Sequence, residues 1–370
     1  FAYNVPAGNA GRIEELWDLE GNVLDTLDET PLNTGIRDND DEDEEEGDTR
    51  RNMRWAPDGN GLIYLEQEPE PDSTEAEAAA EEEEEEEEGR SRRMDRVIRW
   101  TPPFGEDDTE VIYEQSTRMN SAQFSEDMGI LFGTEGRSGN THVWAVFLDD
   151  PETEKHTIYR WDSDDFYENP GSLMSTGLRV GGGGGGFRFG GGGATADVRV
   201  SEDGEHVFLS GTRYDENPQE VGPQRFIDRV NIRSGEKTRI YEGDHDDVYE
   251  SPVIALDLEG GRMIVSRESP TQIEQSYIRD GESLTQITEN VDYTPDLTRA
   301  PKHRFFVTRP DGFRFPVEVT LPNSFRPGNP LPAMFWFYPR EYSDQESYDE
   351  RFRSYNKNSF QGYGTRSMAY

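Results

Sequence analysis

Serine and histidine are the side chains most able to do covalent chemistry here, because the chain contains no cysteine. In many hydrolases the serine nucleophile stands on a strand-to-helix elbow with the spacing G-x-S-x-G. That motif occurs nowhere in the 370 residues, and Ser138 (GRSGN) and Ser367 (GTRSMAY) have the wrong glycine spacing. We therefore expect no serine nucleophile of this kind within the chain.

The five histidines are far apart in sequence: His142, His156, His206, His245 and His303. None has the spacing H-x3-H or H-E-x-x-H that binds metal ions. His245 stands in GDHDD, which could hold a cation, but a polar loop between strands is the simpler interpretation. The absence of cysteine also excludes disulfides and thiolate zinc sites. We expect no metal, no cofactor and no catalytic histidine in these residues.

The net charge is −41, and only four of the 37 basic residues are lysine. Such an acidic chain is a poor ligand for nucleic acid, whose phosphates need a basic surface. A pervasively acidic surface is typical of a protein that works in high salt, where charge repulsion is screened. The sequence contains no run of 18 apolar residues, so it predicts no transmembrane helix. The compartment stays open, with an exported location favoured over the cytoplasm, and the oligomeric state stays open too.

Three segments have low complexity, and none can bury enough apolar surface to offset its ordering entropy. We interpret them as surface loops inserted between strands: Asp38 to Asp48, Glu66 to Arg93, and Gly181 to Gly193. The acidic runs lack the alternation and central glycine of a calcium loop. The glycine run lacks the G-K-[ST] of a phosphate loop.

A repeated pattern lies between these loops: an apolar residue, a turn rich in Asp, Glu and Gly, and then an apolar strand. It occurs in Trp55 to Glu68, Phe124 to Glu135, Val200 to Arg213 and Leu256 to Ser269. Asp and Gly suit a tight turn because they tolerate a positive φ. Without the inserts, the spacing of the turns approaches the ~40–50 residues of a four-stranded propeller blade.

Each repeat continues into an outer arm of two strands, as in Asp95 to Glu114, His142 to Asp162 and Phe226 to Gly243. Arg12 to Leu27 has the same character and is expected to be the outer arm of an earlier blade. The sequence predicts four blades and part of a fifth. A β-sandwich is the alternative, but a turn recurring before a strand favours the propeller.

The pattern changes after Val291. We expect a hairpin with strands Arg304 to Thr308 and Phe315 to Leu321, turning at Asp311-Gly312. An apolar strand, Ala333 to Tyr338, should follow, buried on both faces as in a parallel sheet. The chain starts without Met and stops in an aromatic segment, so we expect both ends to be truncations.

The order of blades, then the R-P-D-G hairpin beginning at Arg309, then LPAMFWFYPREY, resembles the entry to the catalytic domain of prolyl oligopeptidase family peptidases. Most members carry Tyr-Gly-Gly where this chain has Tyr338-Pro339-Arg340. The proline favours the glutamyl endopeptidase branch. The resemblance implies a fold of mainly β structure: an incomplete propeller at 1–295, and the first strands of an α/β-hydrolase domain at 296–370.

The resemblance also implies a chemistry. It is a Ser-His-Asp acyl transfer whose triad lies beyond residue 370, so this chain alone should be inactive. Tyr338 would be an oxyanion donor, although a plain strand-end tyrosine is an equal alternative. Arg340 would attract an acidic substrate side chain, against the simpler interpretation of a surface arginine paired with Glu341 or Asp344. Peptides would be the substrates, and the propeller would restrict access to short ones. The alternative is a propeller that binds proteins without catalysis.

Overall fold

The computed structural model describes residues 10–32, 50–68, 93–105, 107–150, 154–177, 180, 197–336 and 340–360. The predicted loops at 38–48 and 181–193 lie outside these residues, as does most of the loop at 66–93. The described chain forms two compact units. The first contains residues 10–160 with 197 and 198, and the second contains 161–180 and 199–360.

The first unit begins with an antiparallel hairpin of β1 (Arg12–Trp17) and β2 (Val23–Thr30). The first blade has the strand order β3-β4-β5-β6: β3 (Arg51–Trp55), β4 (Leu62–Gln67), β5 (Asp95–Trp100) and β6 (Thr109–Gln115). The second blade is formed by β7 (Met119–Phe124), β8 (Ile130–Glu135), β9 (Asn140–Phe147) and β10 (His156–Asp162), paired in sequence order.

The second unit contains two further blades. The third consists of β11 (Ser172–Leu173), β12 (His206–Arg213), β13 (Gln224–Asn231) and β14 (Lys237–Glu242). The fourth consists of β15 (Tyr249–Asp257), β16 (Arg262–Ser269), β17 (Gln272–Asp280) and β18 (Ser283–Gln286). Sheets of four sequential antiparallel strands are the units from which β-propellers are built. The predicted mainly β fold with four blades and one partial blade is confirmed.

The repeated turn lies at the same place in each blade, directly before the second strand. Asp58, Asp127 and Glu259 lie in turns that join the first and second strands, and Asp203 lies in the turn just before β12, three residues ahead of its first residue. In two of these turns a serine hydroxyl donates to the aspartate: Ser125 to Asp127 at 2.6 Å, and Ser201 to Asp203. The local turn chemistry therefore sets the start of the inner hairpin, as the sequence pattern predicts.

The cores are formed by the inner strands, whose side chains are apolar in runs. In the first unit Phe124 and Trp144 are fully buried among residues of the first two blades. In the second unit Ile227 and Val265 have the same role between the third and fourth blades. Full burial of such a side chain contributes about 1.5–3 kcal/mol, so these clusters stabilise the pairing of successive blades.

After the fourth blade come α1 (Pro295–Thr298), the hairpin of β19 (Lys302–Thr308) and β20 (Arg314–Thr320), and α2 (Gln345–Glu350). The predicted hairpin is confirmed, and its turn places Gly312 at φ 89°, which favours glycine. None of the helices in the described ranges reaches the length and apolar character needed to cross a bilayer.

The predicted buried strand at Ala333 to Tyr338 is wrong over its described part. Residues 331–336 form no strand, and Met334, Phe335 and Trp336 are 72%, 84% and 66% exposed. An apolar run becomes a buried strand only when neighbouring strands pair with it and other elements cover its faces. Within the described ranges, the sheet of β19 and β20 has two strands and does not include this run.

Candidate functional site

The two residues singled out by the sequence lie just before α2. Tyr338 is outside the described residues, so its role stays a prediction. Arg340 is described and exposed. Asp344 caps α2, accepting the backbone N–H and the hydroxyl of Ser347, each at 2.8 Å. These hydrogen bonds from Ser347, the backbone one first, lower the pKa of the Asp344 carboxyl.

The helix α2 is held against the hairpin by its first side chain. Gln345 accepts the backbone N–H of Arg314 at 2.8 Å and donates to the carbonyl of Arg314 at 2.9 Å. The rings of Phe313 and Tyr348 meet edge to face with their centroids 5.0 Å apart. The guanidinium of Arg304, on β19, lies 3.8 Å from the ring centroid of Tyr355. Hairpin and helix therefore form one interlocked piece, stabilised by arginine–aromatic contacts.

The charge of the chain changes sign at this piece. From Arg299 onward the sequence has eleven Lys or Arg against seven Asp or Glu, whereas residues 1–298 have 26 against 71. The part expected to begin a catalytic domain is thus mildly cationic, and the blades are strongly acidic. An anionic group is attracted to the first and repelled by the second.

The loop GDHDD, considered above as a cation site, turns its carbonyls to a side chain. The amide nitrogen of Asn358 donates to the backbone carbonyls of His245, Asp246 and Val248 at 2.5, 3.3 and 3.2 Å. Asn358 is 4% exposed. The backbone carbonyls that could have coordinated an ion therefore accept hydrogen bonds from a side chain more than a hundred residues later in the chain.

A second contact lies beside the first. Glu268, on β16, lies beside Ser359 and Phe360, whose polar groups act to lower the pKa of its carboxyl. Burial raises the pKa of Glu268, and the neighbouring carboxylate of Glu274 adds to the effect. The segment after α2 is thus fastened to the third and fourth blades through polar groups.

Buried carboxylates hold the strands beneath this segment. Glu250, at the start of β15, is fully buried. Its carboxylate accepts hydrogen bonds from the guanidinium groups of Arg267 and Arg279 and from the hydroxyl of Tyr241, the last at 3.0 Å. Burial first, and the Glu250 charge second, raise the pKa of Tyr241. In the same unit, the buried Asp228 accepts Arg239. Such paired charges fix which strands meet, since an unpaired partner would be costly.

Four of the five histidines lie on strands of the blades or the hairpin, and His245 lies in the loop between β14 and β15. His142 is 7% exposed, with Nδ1 2.8 Å from Glu135 and Nε2 3.0 Å from the hydroxyl of Thr157. Burial lowers the pKa of His142, so the neutral imidazole is favoured. This environment is that of a core histidine that joins neighbouring strands of the second blade.

One grouping has the composition of a metal site. Oxygen and nitrogen atoms of Asp203, Glu205 and His206 lie within 4.8 Å of one another. The Asp203 carboxylate already accepts the Ser201 hydroxyl, the backbone N–H of Glu205 and, at 3.0 Å, Arg229. Its acceptors are engaged in shaping the turn before β12, so the grouping is explained by the blade repeat.

Sequence reasoning missed Asn358 and Glu250. Glu250 leaves a weak signal, a carboxylate at the start of an otherwise apolar strand, which indicates a buried ion pair. Asn358 leaves none, because its partners are distant backbone carbonyls and every residue has one.

No family model matches the sequence. Two curated proteins match it along nearly its whole length, and both are described as a probable glutamyl endopeptidase, chloroplastic. The protein from Oryza sativa subsp. japonica is 22% identical over 387 residues, covering 99% of this chain and 37% of that protein. The protein from Arabidopsis thaliana is 22% identical over 384 residues, covering 99% and 36%. The predicted resemblance to the glutamyl endopeptidase branch of the prolyl oligopeptidase family is confirmed.

Among solved structures, oligopeptidase B from Leishmania major is 12% identical with a TM-score of 0.37, over 76% of this chain and 40% of that one. The β-propeller domain of the Trilobed protease from Pyrococcus furiosus is 13% identical with a TM-score of 0.27, over 64% and 56%. The chain spans little more than a third of the length of its glutamyl endopeptidase relatives. Activity, substrates and partners of the whole protein are therefore matters of proposal.

Proposed function

We propose that this chain is the propeller portion and the start of the catalytic domain of a serine peptidase that hydrolyses peptide bonds by Ser-His-Asp acyl transfer. The observation that carries the proposal is the similarity of 99% of the chain to two proteins described as glutamyl endopeptidases. Residues 1–295 form the propeller part and 296–370 begin the catalytic domain. The triad lies beyond Tyr370, because the chain has no G-x-S-x-G elbow.

The substrate side chain next to the cut bond is acidic in this proposal. The names of the relatives support a glutamyl preference, and the excess of Arg and Lys from Arg299 onward supports it electrostatically. Arg340, exposed before α2, is the candidate contact for that carboxylate. The acidic propeller would admit short peptides and exclude folded proteins.

Labelling of the full gene product with a serine-reactive fluorophosphonate tests the reaction class. We expect one modified serine, located in a G-x-S-x-G motif that follows Tyr370, and cleavage of short peptides after Glu. The same product with that serine replaced by alanine is the matched control and should not be labelled. An unlabelled full product with no peptide cleavage would leave a protein-binding propeller as the remaining function.

A further inference from the structure

Asn358 is the only buried residue among the described residues of 301–336 and 340–360. The hairpin strands β19 and β20 and the helix α2 contain no buried side chain. Apolar burial is the main force that holds an element in place. In its described residues this piece has half-buried apolar side chains but no fully buried one, so polar contacts contribute much of its attachment to the blades.

The contact of Asn358 is built to fit a carboxamide. Its two N–H groups are shared among the carbonyls of His245, Asp246 and Val248. On the other side lies Gly222, in the connection between β12 and β13. A Cβ added to Gly222 would lie 2.6 Å from the Asn358 amide nitrogen and 2.7 Å from the His245 carbonyl oxygen. Glycine at 222 thus leaves the space that the amide fills.

The neighbouring contacts lie in the same stretch of chain. The Asn358 backbone N–H donates to the side chain of Asn356 at 2.9 Å, which shapes the turn that presents the amide. Ser359 and Phe360 lie beside Glu268 of β16 and oppose the rise of its pKa. The hydrogen bonds from this segment to the connection between the third and fourth blades are therefore concentrated at Asn358, and Arg353 adds a cation–π contact 6.0 Å from the ring centroid of Phe166, before β11.

We propose that the hydrogen bonds of the Asn358 side chain hold the hairpin β19–β20 and the helix α2, as one unit, against the third and fourth blades. They form one unit because Gln345 holds α2 to the Arg314 backbone and Arg304 holds β19 to Tyr355. When the amide leaves its three carbonyls, the whole piece opens rather than only its last residues. The device concerns conformation and does not depend on the proposed peptidase activity.

The test is hydrogen exchange and limited trypsin digestion of the full chain carrying Asn358→Ala. Loss of a buried hydrogen-bonded group raises the population of the open form by about tenfold or more. We expect cleavage after Lys357 to quicken by that factor relative to cleavage after Arg233, at the exposed tip between β13 and β14. Amides of β19, β20 and α2 should exchange faster together, while those of β12 and β16 are unchanged.

Two further variants make the result specific. Gly222→Ala should open the piece as Asn358→Ala does, since it fills the amide's space from the side of the blades. Asn323→Ala removes an exposed amide that donates to the Asp296 carbonyl at 2.8 Å, and should leave the Lys357 cleavage rate unchanged. The proposal fails if Asn358→Ala behaves like Asn323→Ala, or if exchange quickens only beside residue 358 while β19 and β20 stay protected.

Discussion

The carboxylate of Asp95 accepts the backbone N–H of Met119 at 2.7 Å, so a side chain on the first blade holds the first residue of the second blade. Arg51 pairs with the same carboxylate and donates to the Met119 carbonyl at 2.9 Å. Asp95 is 1% exposed. The two blades are thus joined by a buried charge pair as well as by the apolar core.

Replacement of Asp95 by alanine should destabilise the first unit strongly. It removes the acceptor of the Met119 N–H and leaves Arg51 without its anion, and losing one partner of a buried pair costs about 3–5 kcal/mol. Chemical unfolding monitored by tryptophan fluorescence measures the effect. Asp28→Ala breaks the exposed pair with Arg12 and serves as the control, with little expected change in stability because water screens exposed charges. Equal losses in the two variants would contradict the role of Asp95.

Glu250 should have the corresponding role in the second unit. Glu250→Ala leaves Arg267, Arg279 and the Tyr241 hydroxyl facing a void, and a loss of about 3–5 kcal/mol is expected. The control is Asp244→Ala, because Asp244 pairs with Arg267 at 2.9 Å from an exposed position and is expected to cost under about 1 kcal/mol. If Glu250→Ala unfolds at the same denaturant concentration as Asp244→Ala, the buried cluster does not stabilise the blades.

The blades were predictable because their signals are local. A turn such as Ser125-Glu126-Asp127 carries its own hydrogen bonds, and the strand that follows it is apolar over consecutive residues. The hairpin after the blades was predictable for the same reason, from Asp311-Gly312. What sets these elements is within about ten residues of each.

The features that the sequence predicted wrongly or not at all depend on contacts between residues far apart in the chain. The run at Ala333 is apolar enough for a buried strand, yet strand formation depends on neighbours that no local pattern specifies. In the sequence, Asn358 is one polar residue among others. Its burial depends on the loop that contains Val248, 110 residues earlier, and on Gly222, earlier still. Both cases depend on tertiary contacts, which single-sequence patterns do not encode.

Acidification should destabilise the first unit through His142. Burial chiefly lowers its pKa below the ordinary 6.5, so the unfolded chain takes up a proton at a higher pH than the folded chain. Stability is therefore complete above pH 6.5 and falls as the pH drops through 6.5, because protonation favours the unfolded state. Unfolding curves between pH 8 and 5, with His142→Gln as the control, measure this. A slope that survives the substitution would assign the effect to other groups.

Tyr338→Phe in the full product tests the oxyanion role. If the hydroxyl stabilises the tetrahedral intermediate, kcat should fall by about 10²–10³-fold with little change in KM, because the interaction exists only in the transition state. Tyr342→Phe is a matched control, since the Tyr342 hydroxyl accepts from Arg351 at 3.0 Å within the α2 region. An unchanged kcat for Tyr338→Phe would leave that residue as a structural tyrosine.

Salt should act in opposite directions on the two parts of the chain. Residues 1–298 have 71 acidic against 26 basic residues, so screening relieves repulsion there and should raise the free energy of unfolding of the blades. From Arg299 onward the chain is cationic, and its attraction to the acidic blades is weakened by the same screening. Hydrogen exchange at 0.1 M and 2 M sodium chloride should therefore show slower exchange in β8 and β16 and faster exchange in β19, β20 and α2.

Screening is nearly complete by about 1 M, where the Debye length is about 3 Å, so the effect should level off. Sucrose, which is excluded from protein surfaces without screening charge, should slow exchange in every segment. Uniform slowing in sodium chloride as well would show that the charge division between the two parts has no effect on their contact.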